Sequence, residues 1–254
     1  MSAPAAPVLT VRRLAKAFGG VHAVRDVALD LRAGEMLALI GPNGAGKTTT
    51  FNLISGQTAP DAGTVQLGDE RIDGLGPDAI ARRGVGRTFQ VAATFASMTV
   101  GENVELALIA HARRETAVVD RDARERRNAA LAVLERVGCA DLADAHCATL
   151  AYGDAKRVEL ALALAAGPKL LLMDEPTAGM AVADRATLMR LATTLARHDN
   201  LAVLFTEHDM DVVFGFADRV IVLDRGAVIA SGTAAEIRAD PLVQAVYLGL
   251  DEPA

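Results

Sequence analysis

Residues Gly41 to Thr49 read GPNGAGKTT and follow directly on the apolar run Met36-Leu37-Ala38-Leu39-Ile40. No other feature of the chain constrains its fold as tightly. The pattern G-x-x-x-x-G-K-[ST], set between a strand and a helix, cradles a polyphosphate. Gly41, Gly44 and Gly46 let the backbone turn sharply and aim successive N–H groups inward. The helix that follows adds its positive N-terminus. Asn43, Gly44, Ala45, Gly46, Lys47, Thr48 and Thr49 are therefore the expected phosphate contacts. Lys47 is expected to reach the outer phosphates, and the Thr48 hydroxyl to ligate Mg²⁺. A chance glycine turn would not satisfy eight constrained positions and the flanking strand together.

The chain has 254 residues, which suits one large domain or a core with an added lobe. Hydrophobic residues make up 51%, yet no apolar run is long enough for a membrane span. The richest stretch, Leu160 to Met173, is broken by Gly167, Pro168 and Lys169. No basic segment followed by an apolar one opens the chain, so no secretory signal is expected. Residues 1–7 read as a flexible lead. The net charge of −6 argues against a nucleic-acid surface, so no nucleic-acid partner is expected. Arginines cluster at Arg82, Arg83 and Arg87, and again at Arg121, Arg124, Arg126 and Arg127. Asp120, Asp122 and Glu125 lie among the second set, which reads as a solvated helix face. Cys139 and Cys147 lack C-x-x-C spacing and read as reduced structural thiols of a cytosolic protein.

Strand patterns cover Val8 to Val11, Val27 to Leu31 and Gly63 to Leu67. Asp30 to Glu35 looks like a hairpin turn into the strand Met36 to Ile40. Lys47 to Ile54 should be the helix after the loop. From about Thr99 to Ala166 the spacing of apolar residues is helical, clearest at Val100 to Ala110 and Asp122 to Val137. A further helical stretch starts at Ala155. Strand character returns at Leu170 to Met173, Ala202 to Thr206 and Arg219 to Leu223, alternating with helices. That alternation implies α/β class, a phosphate-loop NTPase core with a mainly parallel sheet. A small N-terminal antiparallel β region and an inserted helical lobe complete it. The expected division is one domain over 8–250, with the core at 8–90 and 167–250 and the lobe at 91–166. No internal repeat is visible, so one such unit is expected per chain.

Four further elements narrow the chemistry. Lys169 to Pro176 reads KLLLMDEP, an apolar strand ending in Asp174. That Asp would hold Mg²⁺ through its hydration shell. Glu175, next to it, would lie in the crevice at the strand's carboxyl end and polarise an attacking water. His208 ends the strand within LFTEHDM and would donate to the γ-phosphate or the water. Gln90, in Gly86-Arg87-Thr88-Phe89-Gln90, sits between core and lobe, where its amide would join the Mg²⁺ shell and report to the lobe. Leu150 to Leu160, LAYGDAKRVEL, opens a second helix with a glycine-containing turn. One nucleotide cannot easily use both sites, so this helix should face ATP bound to another subunit.

Together these residues resemble the ATP-binding subunits of ABC transporters, from Val8 to Leu250. GPNGAGKTT is similar to their Walker A, Gln90 to the Q-loop, LAYGD to the signature, LLLMDEP to the Walker B with its catalytic glutamate, and His208 to the H-loop. The resemblance implies ATP as substrate, Mg²⁺ as cofactor, and nucleotide contacts from Ala151, Tyr152, Gly153 and Asp154. It also implies that Phe18 stacks on adenine, with Val24 nearby. The implied catalytic residues are Lys47, Glu175 and His208, and the metal-holding ones Thr48, Gln90 and Asp174. GRTFQ, the long insert after Met98-Thr99-Val100-Gly101-Glu102-Asn103, and the ending Val246-Tyr247-Leu248-Gly249 look like the branched-chain amino acid importer group, within it the subunit with the longer insert. Relatives there carry amino acids, urea and other small polar or amide solutes.

The implied partners are a second ATP-binding subunit, membrane permease subunits and, indirectly, a solute-binding protein. The implied place is peripheral, on the cytoplasmic face of the membrane.

Several positions depart from the family pattern. Ala151 replaces the usual signature serine, Asp154 the following glutamine, and Ala181 the polar end of the D-loop. Asp154 is expected to cap the helix. Such a signature would suit a heterodimer with unequal sites. A soluble ABC-type switch is the alternative, but such chains usually join two ATPase units or insert coiled coils. A phosphate-loop kinase would need neither the signature helix nor the Glu175–His208 pair.

Overall fold

The computed structural model describes residues 6–88, 94–114 and 122–248. The strands are β1 (Leu9–Phe18), β2 (Val21–Leu31), β3 (Met36–Ile40), β4 (Ala62–Leu67), β5 (Glu70–Arg71), β6 (Val85–Thr88), β7 (Leu170–Asp174), β8 (Ala202–Thr206), β9 (Arg219–Asp224) and β10 (Ala227–Gly232). The helices are α1 (Lys47–Ile54), α2 (Pro77–Arg82), α3 (Val100–Arg114), α4 (Ala123–Arg136), α5 (Tyr152–Leu164), α6 (Val182–Asp199), α7 (Met210–Phe216), α8 (Ala234–Ala239) and α9 (Pro241–Leu248).

Two sheets form. The N-terminal one is antiparallel, in the order β2-β1-β4-β5. The second runs β10-β9-β3-β8-β7-β6, parallel throughout except for β10 at its edge. The expected hairpin at Asp30 to Glu35 is corrected here: β2 and β3 belong to different sheets, so the turn carries the chain from one to the other.

β3, MLALI, is buried at every position. Such a strand is covered on both faces, and its residues divide between them with a period of two. Leu37 and Leu39 join the core beneath the N-terminal sheet, with Phe51 of α1 and Leu172 and Leu204 of β7 and β8. Met36, Ala38 and Ile40 face the opposite core, with Leu171, Met173, Val203 and Phe205. That second core continues without a break into Val100, Val104, Ala130, Leu134 and Leu160 of α3, α4 and α5. Each fully buried Leu, Ile or Phe contributes about 1.5–3 kcal/mol, so the helical segment is held to the sheet by its own apolar faces. Cys139 and Cys147 are buried in this core as free thiols, as their spacing implied.

The parallel order puts the carboxyl ends of β3, β8 and β7 side by side. The phosphate loop, His208 and Glu175 follow those three ends in turn. Among the described residues no helix is long and apolar enough to cross a membrane.

Candidate active site

The loop between β3 and α1 is built on close backbone approaches. Gly46 caps α1 with φ 102°, and a Cβ there would lie 2.4 Å from the Ala23 carbonyl oxygen. A Cβ on Gly41 would lie 2.3 Å from the Leu223 carbonyl oxygen. Only glycine fits either position. Lys47 is buried, and its Nζ donates to the Gly41 carbonyl at 2.6 Å and the Pro42 carbonyl at 3.2 Å. Burial pulls its ammonium pKa down, while the nearby Glu175 and Asp174 carboxylates pull it back up. Asn43, Gly44 and Thr48 are exposed. Ala45 is buried, so only its backbone can reach a ligand.

Across the sheet, Asp174 of β7 stands opposite Thr206 of β8. The Thr206 hydroxyl donates to Asp174 Oδ1 at 2.8 Å. The Glu175 N–H donates to the same Thr206, at 3.0 Å to Oγ1 and 3.2 Å to the carbonyl. These bonds hold Glu175 at φ 49°, a left-handed conformation that costs a non-glycine residue about 1–2 kcal/mol. The carboxylate reaches the next strand end, where Glu175 Oε1 lies 2.7 Å from His208 Nε2. A carboxylate accepts, so the ring donates from Nε2.

The loop Pro176 to Ala181 is tied down at three points. The Thr177 N–H donates to Glu207 Oε1 at 2.8 Å. The Tyr152 hydroxyl donates to the Ala178 carbonyl at 2.9 Å. Arg185 Nε donates to the Met180 carbonyl at 2.8 Å, and its Nη1 to Asp209 Oδ2 at 2.7 Å. Asp209 in turn caps α7. Glu207 is 3% exposed. Burial pushes its carboxyl pKa up, and bonds from Thr177 and His208 pull the other way.

Helix α5 starts at Tyr152, three residues before the expected Ala155. Asp154 does not cap it: Ala151 is the N-cap residue, without a side-chain bond, and Asp154 lies inside the first turn. Asp154 instead pairs with Arg157, whose Nη1 also donates to the Gly138 carbonyl at 2.7 Å. One turn of helix brings i and i+3 together, and Arg157 meets the carboxylate before any backbone N–H does. The Asp154 charge is thereby offset within the chain.

Phe18, at the end of β1, is half exposed beside Lys16, whose Nζ lies 5.5 Å from the ring centroid. Val24 is corrected. Its side chain is fully buried in the core beneath the N-terminal sheet, since inward positions of β2 are core positions. The neighbouring Ala23 carbonyl is what meets the loop, at Gly46. Gln90 lies outside the described residues.

Arg87, on β6, is largely enclosed against α1 and β7. Its Nη1 donates to Asn52 Oδ1 and Ser55 Oγ, both at 2.8 Å, and its Nη2 to Asp174 Oδ2 at 3.3 Å.

No cluster of three His, Cys, Asp or Glu side chains fit to hold a metal exists among the described residues. One strand-end carboxylate, Asp174, with one exposed hydroxyl, Thr48, is instead the sparse donor set that suits Mg²⁺, which keeps its waters and takes the rest of its shell from phosphates. The motifs brought Lys47, Asp174, Glu175 and His208 to attention. Thr206, Glu207 and Arg87 were missed, because their partners are distant in sequence and meet them only in the folded sheet and the α1 helix beside it. The sole local signal was a polar pair, Thr206-Glu207, breaking an apolar strand at the motif's edge.

A family model described as ABC transporter matches residues 24–178, and one described as branched-chain amino acid ATP-binding cassette transporter matches residues 227–252. The chain is 40% identical over 252 residues to the high-affinity branched-chain amino acid transport ATP-binding protein LivG of Salmonella typhimurium, covering 96% of this chain and 98% of that one. Among solved structures it is similar to an ATP-binding cassette of an ABC transporter in its ADP conformation. That match has TM-score 0.86 and 28% identity, over 96% of this chain and 100% of the other. It is also similar to a dimeric ATP-binding cassette in a post-hydrolysis state bound to ADP and Pi, with TM-score 0.76 and 28% identity, over 89% and 98% of the two chains.

Proposed function

The chain belongs to the ABC transporter family, as an ATP-binding cassette, and on that premise we propose that it hydrolyses ATP to drive an importer of branched-chain amino acids or related small polar or amide solutes. The observation that carries the reading is the 2.7 Å contact between Glu175 and His208 at the ends of adjacent strands, beside the strand that delivers the phosphate loop. The solute class rests on the LivG likeness and on the C-terminal match over residues 227–252.

In this reading the loop amides and Lys47 bind the β- and γ-phosphates, Lys47 exchanging its bonds to Gly41 and Pro42 for phosphate oxygens. Thr48 and Asp174 would hold Mg²⁺, with Gln90 joining them, and the bound ion would supply positive charge beside the phosphates. Glu175 accepts a proton from the attacking water as general base. His208 steadies that water and the γ-phosphate from Nε2. Phe18 stacks on the adenine. Positioning and electrostatics supply most of the acceleration.

Exposed Ala151 and Tyr152, with half-buried Gly153, lead into α5, and they serve the nucleotide of a second ATP-binding subunit. ATP then favours the closed pair, and its cleavage releases it. The functional division follows the sequence reading, with a nucleotide-binding core at 8–90 and 167–250 and a lobe at 91–166. An apolar groove of about 370 Å³ lies between β6, α3 and α5, walled by Phe95, Leu106, Ala107, Ala110, Leu162 and Ala163. We place the permease contact there, which sets the subunit on the cytoplasmic face of the membrane. A solute-binding protein delivers the solute from the other side.

The test is Glu175→Gln in the assembled transporter. ATP binding is retained and turnover falls about 100-fold or more, the usual weight of a general base. Turnover near the parental rate removes the assignment. Uptake of labelled leucine into vesicles, against labelled urea, decides the solute class.

A further inference from the structure

The structure assigns Arg87 as a positioning residue of the metal site: its buried guanidinium shares the Asp174 carboxylate with the incoming cation and sets how tightly that cation is held. The inference rests on the reading of Asp174 as a metal-holding residue.

Both members of the pair are nearly sealed from solvent, with side-chain exposures of 11% and 12%. A guanidinium in such a place does not lose its proton, so it needs a counter-charge. Burial acts against its charged form, and Asp174 is the group that acts for it. The fork is anchored from behind. Asn52 of α1 and Ser55, which caps the C-terminal end of α1, each accept from Nη1 at 2.8 Å, and Phe51 lies below with its ring centroid 6.0 Å away. Three acceptors on two elements suit a planar fork and not a single ammonium. The two carboxylate oxygens of Asp174 are divided: Oδ1 takes the Thr206 hydroxyl at 2.8 Å, and Oδ2 faces Arg87 at 3.3 Å.

This arrangement has two consequences. Arg87 fixes the carboxylate's orientation before any cation arrives. It also lowers the negative potential that a divalent ion would meet, because a unit positive charge stands at hydrogen-bond distance on the same group. A site tuned in this way releases its cation more readily than a bare carboxylate would. Arg87 lies on β6, three residues before Gln90 in the sequence. The same side chain touches the helix that follows the phosphate loop, so it reads both ends of the site.

The experiment measures Mn²⁺ binding by calorimetry to the full chain loaded with a non-hydrolysable ATP analogue, in the parent, R87M, R87Q and R87K. The two neutral variants are expected to bind Mn²⁺ about three- to tenfold more tightly, the scale of one unit charge partly screened by water. R87K, which keeps the charge, is expected to stay within about twofold of the parent. Neutral variants that bind no tighter than the parent, or a lysine variant that tightens equally, overturn the assignment. A second measurement needs no variant. In the unaltered chain the Arg87 Nε–H resonance is expected to shift when Mg²⁺ is added to the analogue-loaded protein. An unmoved resonance overturns the assignment just as well. A parent that binds the analogue without Mn²⁺ instead removes the reading of Asp174, which is a separate failure.

Discussion

Two helices of this chain begin with turns of small residues, and the two beginnings are built differently. At α1 the first residue, Lys47, is buried and bonded back into its own loop, with Asp174 and Glu175 as nearby counter-charges. Gly46 and Gly41 are clamped against the backbones of β2 and β9. At α5 the start is open. Ala151 offers no cap, Tyr152 is half exposed, and Asp154 is occupied by Arg157. The first beginning carries its own cation and carboxylates within the chain. The second is an exposed helix N-terminus whose first-turn acid, Asp154, is paired with Arg157, a start suited to an anion brought by another molecule.

Changes at α1 should therefore do the most damage. Lys47→Ala removes the buried cation, and Gly46→Ala forces a side chain into the Ala23 carbonyl. Each is expected to abolish binding of a fluorescent ATP analogue, and normal binding by either variant would undo the first half of the contrast. Glu175→Gln comes next: bound ATP persists while phosphate release falls about 100-fold or more. Arg157→Ala probes the second beginning. It unmasks Asp154 beside a phosphate, so turnover of the paired subunits should drop roughly three- to tenfold. Adding Asp154→Asn should restore most of the rate; without that recovery the ion pair is merely structural.

Tyr152→Phe takes away one hydrogen bond, worth about 1 kcal/mol. Its melting temperature should fall by about 2–4 °C at most, with ATP binding at the chain's own loop unchanged. The smallest effect concerns Glu207. Burial raises its carboxyl pKa in the folded chain above the unfolded value. Its contribution to stability is then present below that unfolded value and lost as pH rises through the folded one. Gln does not titrate. The melting temperature of Glu207→Gln minus that of the parent should therefore grow as pH rises from about 4 to about 8. A flat difference would remove Glu207 as a buried acid behind the loop.

This division also explains what could be read without coordinates. Lys47, Asp174, Glu175 and His208 sit in short segments whose spacing states their geometry, because a strand end or a helix start is local. α1 was placed at its observed limits for the same reason. The partners of those residues are not local. Thr206 meets Asp174, Thr177 meets Glu207, and Arg87 meets Asp174 only because β8 lies between β3 and β7, and β6 beyond them. Val24 was assigned to the nucleotide although its side chain points into the core, since strand β2 could not be oriented without its neighbours. The sequence points to Asp154 as a cap because Asp favours that place. The competing Arg157 becomes visible only when the helix start is fixed at Tyr152.

The decisive observation is the number of cassettes that share bound ATP. Purified Glu175→Gln, alone or mixed with the second ATP-binding subunit of the same transporter, is weighed by analytical ultracentrifugation with ATP and then with ADP. Two cassettes holding two nucleotides in ATP, separating in ADP, is the expected result. A single cassette that stays monomeric while saturated with ATP would contradict the account.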